Sequence, residues 1–176
     1  MKIPCLLPAL VILAAPAFSG CGWTPLYADA GAGTASEELR AIRVDPILER
    51  IGQRLQIALR ESLNPTGEPT PERYRLRTTL ATYLSNLGIQ SQGLATLGKL
   101  DVYATYYLLD VQSGNTLLAN TVHVANTFDL NPNQYSTVVA EDDAAVRSVS
   151  ELDQEIVTRL TLFLQRRIAE KSGKPG

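Results

Sequence analysis

The sequence is poor in the residues from which most chemistry is built. One histidine and two cysteines occur in 176 residues. A zinc site of the usual Cys/His count cannot be assembled from them. A His-dependent nucleophilic triad would have to be built on His123 alone, with no Cys, His or carboxylate at ligand spacing beside it in the chain. No Gly-rich phosphate loop, nucleophile elbow or metalloprotease signature is present. Charge of one sign is not in excess either. Lys and Arg number 16 against 18 Asp and Glu, for a net charge of −2, so the basic footprint of a nucleic-acid binder is missing. The apolar run from Ile3 to Ala17, interrupted by Pro4, Pro8 and Pro16, falls short of the roughly 20 residues that a spanning helix needs. These absences set the expectation: no enzyme, no catalytic residues, no metal, no bound cofactor and no nucleic acid. What is present is 45% hydrophobic and 19% charged residues, enough apolar surface for a folded core.

The first twenty residues have the form of a cleaved export signal. Lys2 supplies a short positive start, and Ile3 to Ala17 follows without charge. The segment closes on Ala17-Phe18-Ser19-Gly20-Cys21. Small residues directly before a cysteine, after an apolar run, resemble the bacterial lipobox, with Phe18 where that motif most often has Leu. The resemblance implies that Cys21 carries a thioether-linked diacylglycerol and, after cleavage before it, an N-acyl chain. One chain holds a protein to a membrane only marginally, and stable residence takes two signals. The competing reading of Cys21 is a plain thiol or a partner for Cys5, but Cys5 lies inside the leader and would leave with it. Gly22, rather than Asp, follows the cysteine, which by the same resemblance implies sorting to the outer membrane.

Periodicity lays out the rest. Residues 21–38 are rich in Ala, Gly and Thr without a sustained period and read as a tether. Ala41-Ile42-Arg43-Val44 is a short first strand. Asp45-Pro46 has the form of an N-cap followed by proline at the first helical position, and apolar residues at helical spacing run from Ile47 to Leu63 before Asn64-Pro65 stops them. Residues 73–84 alternate as a half-buried strand, 85–98 read as a long polar loop or irregular strand edge, and 99–112 alternate again. Ser113-Gly114-Asn115 marks a hairpin, with a returning strand over 116–128. A long helix over about 136–171 ends the chain's folded part, its acidic Glu141-Asp142-Asp143 placed near the start where the helix dipole favours them. The expected fold is α+β: two helices packed on one face of a mostly antiparallel four-stranded sheet, in the order β-α-β-β-β-α. The expected division is 1–20 signal, 21–38 tether, 39–172 domain and 173–176 tail.

Four basic residues and two tyrosines are the candidate contact residues. Arg73, Arg75 and Arg77 alternate onto one strand face, about 6.6–6.8 Å apart, and guanidinium forks suit phosphates. Lys99 is a further anion candidate. The alternative for this face is ordinary solvated cross-strand pairing, with Asp101 or over the tyrosines. Tyr103 and Tyr107 share the polar face of their strand and are partner-interface candidates, or plain strand filler. Tyr106 falls on the core face.

The run Gly20-Cys21-Gly22-Trp23-Thr24-Pro25-Leu26-Tyr27 resembles the mature start of the alphaproteobacterial LPS-assembly lipoprotein family, LptE, and the element order is similar to that family's α/β sandwich. The resemblance implies an outer-membrane lipoprotein, lipid-anchored on the periplasmic face, that plugs the β-barrel LptD, assists its assembly and helps lipopolysaccharide reach the outer leaflet. It implies LptD, lipopolysaccharide and the membrane as partners, with the acyl groups on Cys21 as the sole covalent additions. Contact between the arginine face and the phosphorylated sugars of lipopolysaccharide is the corresponding role for Arg73, Arg75, Arg77 and Lys99. An auxiliary lipoprotein of a lipid-transporting ABC system, acting as a periplasmic adaptor, is the alternative.

Overall fold

A computed structural model describes residues 35–89 and 95–171. The leader, Cys21, most of the tether and the tail lie outside the described residues. The elements are α1 (Ala35–Arg40), β1 (Ile42–Val44), α2 (Arg50–Leu63), β2 (Tyr74–Ile89), β3 (Ala95–Asp110), β4 (Thr116–Asp129) and α3 (Gln134–Lys171). The strands form one sheet in chain order, β1 parallel to β2 and the other pairs antiparallel. This is the α+β layout that the hydropathy pattern predicts, with α2 and α3 on one face.

Strand alternation decides which face is covered. Tyr74, Leu76 and Thr78 of β2, then Leu100, Val102, Ala104, Tyr106 and Leu108 of β3, all point into the core. Val122 and Phe128 do the same from β4. Val149, Leu152, Ile156, Leu160 and Leu164 of α3 meet them, together with Leu55, Leu59 and Leu63 of α2. Each such side chain is stabilised by about 1.5–3 kcal/mol over its exposed state. Burial raises the pKa of the Tyr106 phenol, against the opposing influence of Arg159.

The two long helices run side by side and are pinned at two levels. Arg50 and Arg54 each place an Nη2 3.0 Å from Asp142 Oδ1. Further along, Ser62 Oγ donates to Asp153 Oδ2 at 2.7 Å. The Arg54 guanidinium, helped by Arg50, holds the Asp142 carboxyl below the usual range, whereas burial raises that of Asp153.

Five expectations need correction. A third helix, α1, occupies Ala35–Arg40, within the stretch read as tether. Its Leu39 is buried in the core and its Glu38 holds Arg73, which is why it folds onto the domain. Second, α2 starts at Arg50 rather than at Asp45-Pro46. Asp45 is diverted: its N–H donates to Leu76 O at 2.9 Å, continuing the line of β1, and its carboxylate faces Arg75 and Arg77. Ile47 then folds inward over Gly52, where any Cβ would lie 2.6 Å from Ile47 Cγ2.

Third, residues 85–98 are largely strand. β2 continues to Ile89 and β3 begins at Ala95, with Leu87 opposite Leu97. Gly98 misleads as a loop residue: it lies opposite Phe128, whose ring covers it, Cε2 standing 2.7 Å from where a Cβ would be. This is a close-approach glycine within a strand. Fourth, Glu141, Asp142 and Asp143 sit about two turns inside a helix that begins at Gln134, beyond the reach of the terminal dipole. Asp142 pins α2 and Asp143 pairs with Arg147 instead. Fifth, the arginines pair with carboxylates other than Asp101, as described below.

The sheet's two edges differ. Asp45 N–H reaches Leu76 O and Tyr74 N–H reaches Ala41 O, so the even-numbered residues of β2 aim their backbone groups outward, toward β1. β1 pairs with just Tyr74, Arg75 and Leu76; the Asp45–Glu49 segment lies beside Arg77–Leu80, and among the described residues the edge beyond it has no strand partner. On β4 the odd-numbered residues aim outward, and two of them are already occupied. Asn120 Oδ1 accepts from Thr121 N–H at 2.8 Å, and Arg147 Nη2 donates to Thr127 O at 3.2 Å.

α2 stops short of the upper sheet. It spans about 21 Å against about 57 Å for α3. Above Arg50 the inner sheet face has α3 alone beside it, and a groove of about 760 Å³ opens there. Glu49, at the lip, has φ 66° and ψ 162°, a region that glycine alone adopts freely and that costs other residues about 1–3 kcal/mol. Replacing Glu49 with Gly is expected to raise stability by about 1 kcal/mol, the relieved strain exceeding glycine's added chain entropy. Urea unfolding should show a higher midpoint at unchanged slope; an unchanged or lower midpoint would contradict the strain.

Candidate functional site

The face of the sheet opposite the helices is left uncovered by the described residues, and the odd-numbered residues of β2 and β3 build it. Register sets them in rows: Arg77 beside Tyr107 and Ala119, Thr79 beside Thr105 and Thr121, Ala81 beside Tyr103 and His123, and Tyr83 beside Asp101 and Ala125. The lower end is cationic by sequence, the middle hydroxylated and the upper end aromatic.

The arginines share a face as expected, and each has a carboxylate. Arg73 Nη1 is 2.8 Å from Glu38 Oε1, and Arg75 Nη2 is 2.5 Å from Glu72 Oε1. Asp45 stands 3.6 Å from both Arg75 Nε and Arg77 Nε. Arg75, with Arg43 beyond it, holds the Glu72 carboxyl below its ordinary range. Three carboxylates thus answer three guanidiniums, and the lower end carries far less potential than the sequence suggests. Arg77 is the freest of the three, with its side chain 60% exposed and its contact to Asp45 long.

Lys99 does not join them. It lies eight residues along β3 from Tyr107, the register partner of Arg77, about 27 Å away by strand rise. Its Nζ is 2.8 Å from Asp101 Oδ1, and the same oxygen is 2.8 Å from His123 Nε2. Asp101 is therefore the hub of the upper end. Hydrogen bonds from Lys99 and then His123 hold its carboxyl below the usual range.

Tyr103 stacks on the His123 ring, centroids 4.2 Å apart at 16°, and meets Tyr83 edge-on at 5.8 Å and 81°. Tyr107 is 40% exposed in the arginine row. Tyr103 and Tyr107 thus lie on the same open face but in different company. Ala81, Tyr83, Asp101, Tyr103, Thr105 and Thr121 line a shallow hollow of about 480 Å³ between them. Tyr83 and the threonine row are not singled out in the sequence, and Asp101 enters there solely as a cross-strand partner for the arginines, because a row across strands is a property of register, and alternation within one strand does not specify it. Among the described residues no cluster of His, Cys, Asp or Glu has the form of a metal site, and no helix is long and apolar enough to cross a membrane.

No family model matches the chain, and no curated protein matches it significantly. Solved structures do. A lipoprotein described from Caulobacter crescentus CB15 superposes with a TM-score of 0.59 at 22% identity, over 74% of this chain and 95% of that one. A minor lipoprotein from Acinetobacter baumannii gives 0.53 at 17% identity, over 69% and 90%. The domain has the fold of these bacterial lipoproteins. In this chain the helices pack on the core side of the sheet, and among the described residues nothing packs on the opposite face.

The Lys99–Asp101–His123 arrangement has a pH signature. A depressed carboxylate stabilises the folded state above its unfolded pKa, and that contribution is lost as pH falls through the folded pKa. Carboxyl NMR titration should find Asp101 titrating below an ordinary Asp, and Lys99→Gln should move its midpoint upward. A midpoint indifferent to that substitution would mean that Lys99 is not its main partner.

Proposed function

We propose that this protein is an outer-membrane lipoprotein of the LptE type: anchored through acyl chains on Cys21, it seats in the lumen of an LptD β-barrel, assists assembly of that barrel and helps lipopolysaccharide pass to the outer leaflet. The observation that carries this reading is a lipoprotein fold downstream of a lipobox-like Gly20-Cys21 in the same chain. The form of the domain supports it. A body inside a barrel has to present polar surface, because barrel lumens are polar, and the uncovered sheet face is a lattice of Thr, Tyr, Arg and Asp. The role needs no catalysis and no cofactor; it needs a stable body and a tether.

Lipopolysaccharide contact belongs to the same reading, with phosphate groups as ligands for Arg77 first, and for Arg75 and Arg73 once Asp45, Glu72 and Glu38 are displaced. Lys99 would act as a separate point at the upper end, and Tyr103 and Tyr107 would face the barrel wall.

Two measurements test the proposal. Full-length tagged chain expressed in its host should take up an alkyne-palmitate label, fractionate with outer membranes and co-purify in detergent with an integral β-barrel. Cys21→Ser should abolish label and fractionation together. Co-purification with an inner-membrane ABC transporter instead would favour the adaptor role, and an unlabelled soluble chain would end both. For the arginine face, Arg77→Glu should weaken lipopolysaccharide binding several-fold while Asp45→Asn strengthens it, since removing the carboxylate frees two guanidiniums. Equal binding by all three proteins would remove the arginines from the proposal.

A further inference from the structure

The upper, outer edge of β2 adjoins the groove above α2, and the two belong to one surface. From Thr78 to Asn86 the even-numbered residues of β2 aim N–H and C=O away from β3, and β1 has ended below them. Among the described residues, no hydrogen bond outside the β2–β3 ladder reaches the backbone of Thr78, Leu80, Thr82 or Leu84. The side chains of the same residues turn to the helix side. Leu84, 55% exposed, and Thr82 line the groove, with Leu100 beneath and Ile51, Val138 and Val146 as walls. An open row of backbone donors and acceptors thus runs beside an apolar trough whose spacing along the strand is that of alternate residues.

We propose that this edge is a docking site for an extended polypeptide segment, which adds as a further strand in the line of β1 and lays every second side chain into the trough. Main-chain hydrogen bonds give such a contact its affinity, and the trough gives it preference for alternating apolar residues. The charge at the lip refines the partner. Arg50 and Arg54 are engaged by Asp142, whereas Glu49 and Glu141, also at the lip, have no ion pair among the described residues. A segment with Lys or Arg flanking its apolar positions is favoured, and an anionic acyl lipid is repelled. β4 serves as an internal contrast. It is the other long edge of the same sheet, but Asn120 and Arg147 have taken up two of its outward groups, the protection expected of an edge that is not meant to pair.

The test uses the full chain and a fluorescein-labelled peptide with the sequence Lys-Val-Thr-Leu-Thr-Val-Thr-Leu-Lys. Its inward positions are apolar and its ends basic. Fluorescence anisotropy should show saturable binding. Thr82→Pro removes an outward N–H while leaving the β2–β3 ladder intact, and should weaken binding by about tenfold, the loss expected for one or two backbone hydrogen bonds. Thr82→Ala, which keeps the N–H, should lose far less than Thr82→Pro, and Ala125→Pro on the β4 edge should bind as the parent does. Amide exchange on the parent protein guards against a folding defect in the proline variant: Thr82 and Leu84 should become protected on adding peptide, while His123 and Ala125 should not. Absence of saturable binding, binding unchanged by Thr82→Pro, protection on β4 instead of β2, or competitive displacement of the peptide by laurate would each overturn the proposal. None of these outcomes depends on whether an LptD barrel is the physiological partner, so the strand edge and the barrel reading stand or fall separately.

Discussion

Val149, Leu152, Ile156, Leu160 and Leu164 form a stripe along α3 that is buried against Val102, Ala104, Tyr106 and Leu108 of β3 in one continuous core. The other features follow from this contact. It commits the even-numbered residues of β3 to the interior, and through register it commits those of β2 and β4 as well. A slip of one residue would turn Tyr103 and Asp101 inward and expose the leucines, which is why the pairing is fixed so firmly. The odd-numbered residues are thereby assigned to the uncovered face. The rows of arginine, threonine and tyrosine there are a consequence of how the opposite face packs.

The charged network is layered on that frame and is mostly local neutralisation. Glu38 arrives on α1, Asp45 on the segment after β1 and Glu72 just before β2, and between them they answer Arg73 at the entry to β2 and Arg75 and Arg77 within it. In each pair the carboxylate is sheltered but the guanidinium is 40–60% exposed, and with one partner in solvent each adds little to stability. Their effect is on potential: a stretch that carries three guanidiniums presents a nearly balanced surface. Asp142 works differently. Two arginines of α2 converge on it and fix the level at which α2 begins relative to α3, and so the length of inner sheet face left without a second helix.

Much of the fold was legible because its signals are periodic. The strand faces around Leu76 and Tyr106, the Ser113-Gly114-Asn115 hairpin and the apolar positions of α3 all follow from local pattern, and the structure has them. The misreadings share one cause: a residue with a strong local meaning was claimed by a distant partner. Asp45 has the form of a helix cap but is held by Leu76, Arg75 and Arg77. Gly98 has the form of a loop residue but makes room for Phe128. Glu141-Asp142-Asp143 has the form of a helix start but lies within one, with Asp142 engaged across to α2. In the candidate site the alternation of Arg73, Arg75 and Arg77 was legible and their counterions were not, since Glu38 is 35 residues from Arg73 in the chain. The Asp101 hub was hidden for the same reason, because it depends on which residue of β4 stands opposite Tyr103.

The occupied edge of β4 also bears on stoichiometry. In a sheet with two receptive margins, the margin of one copy can accept the opposite margin of the next, and such head-to-tail contacts that do not close on themselves grow into filaments. Here the Asn120 carboxamide and the Arg147 guanidinium cap one margin from within the molecule. Each addition of that kind would forgo the Thr121 N–H and the Thr127 carbonyl, a penalty repeated at every joint, so the sheet disfavours fibres relative to finite complexes.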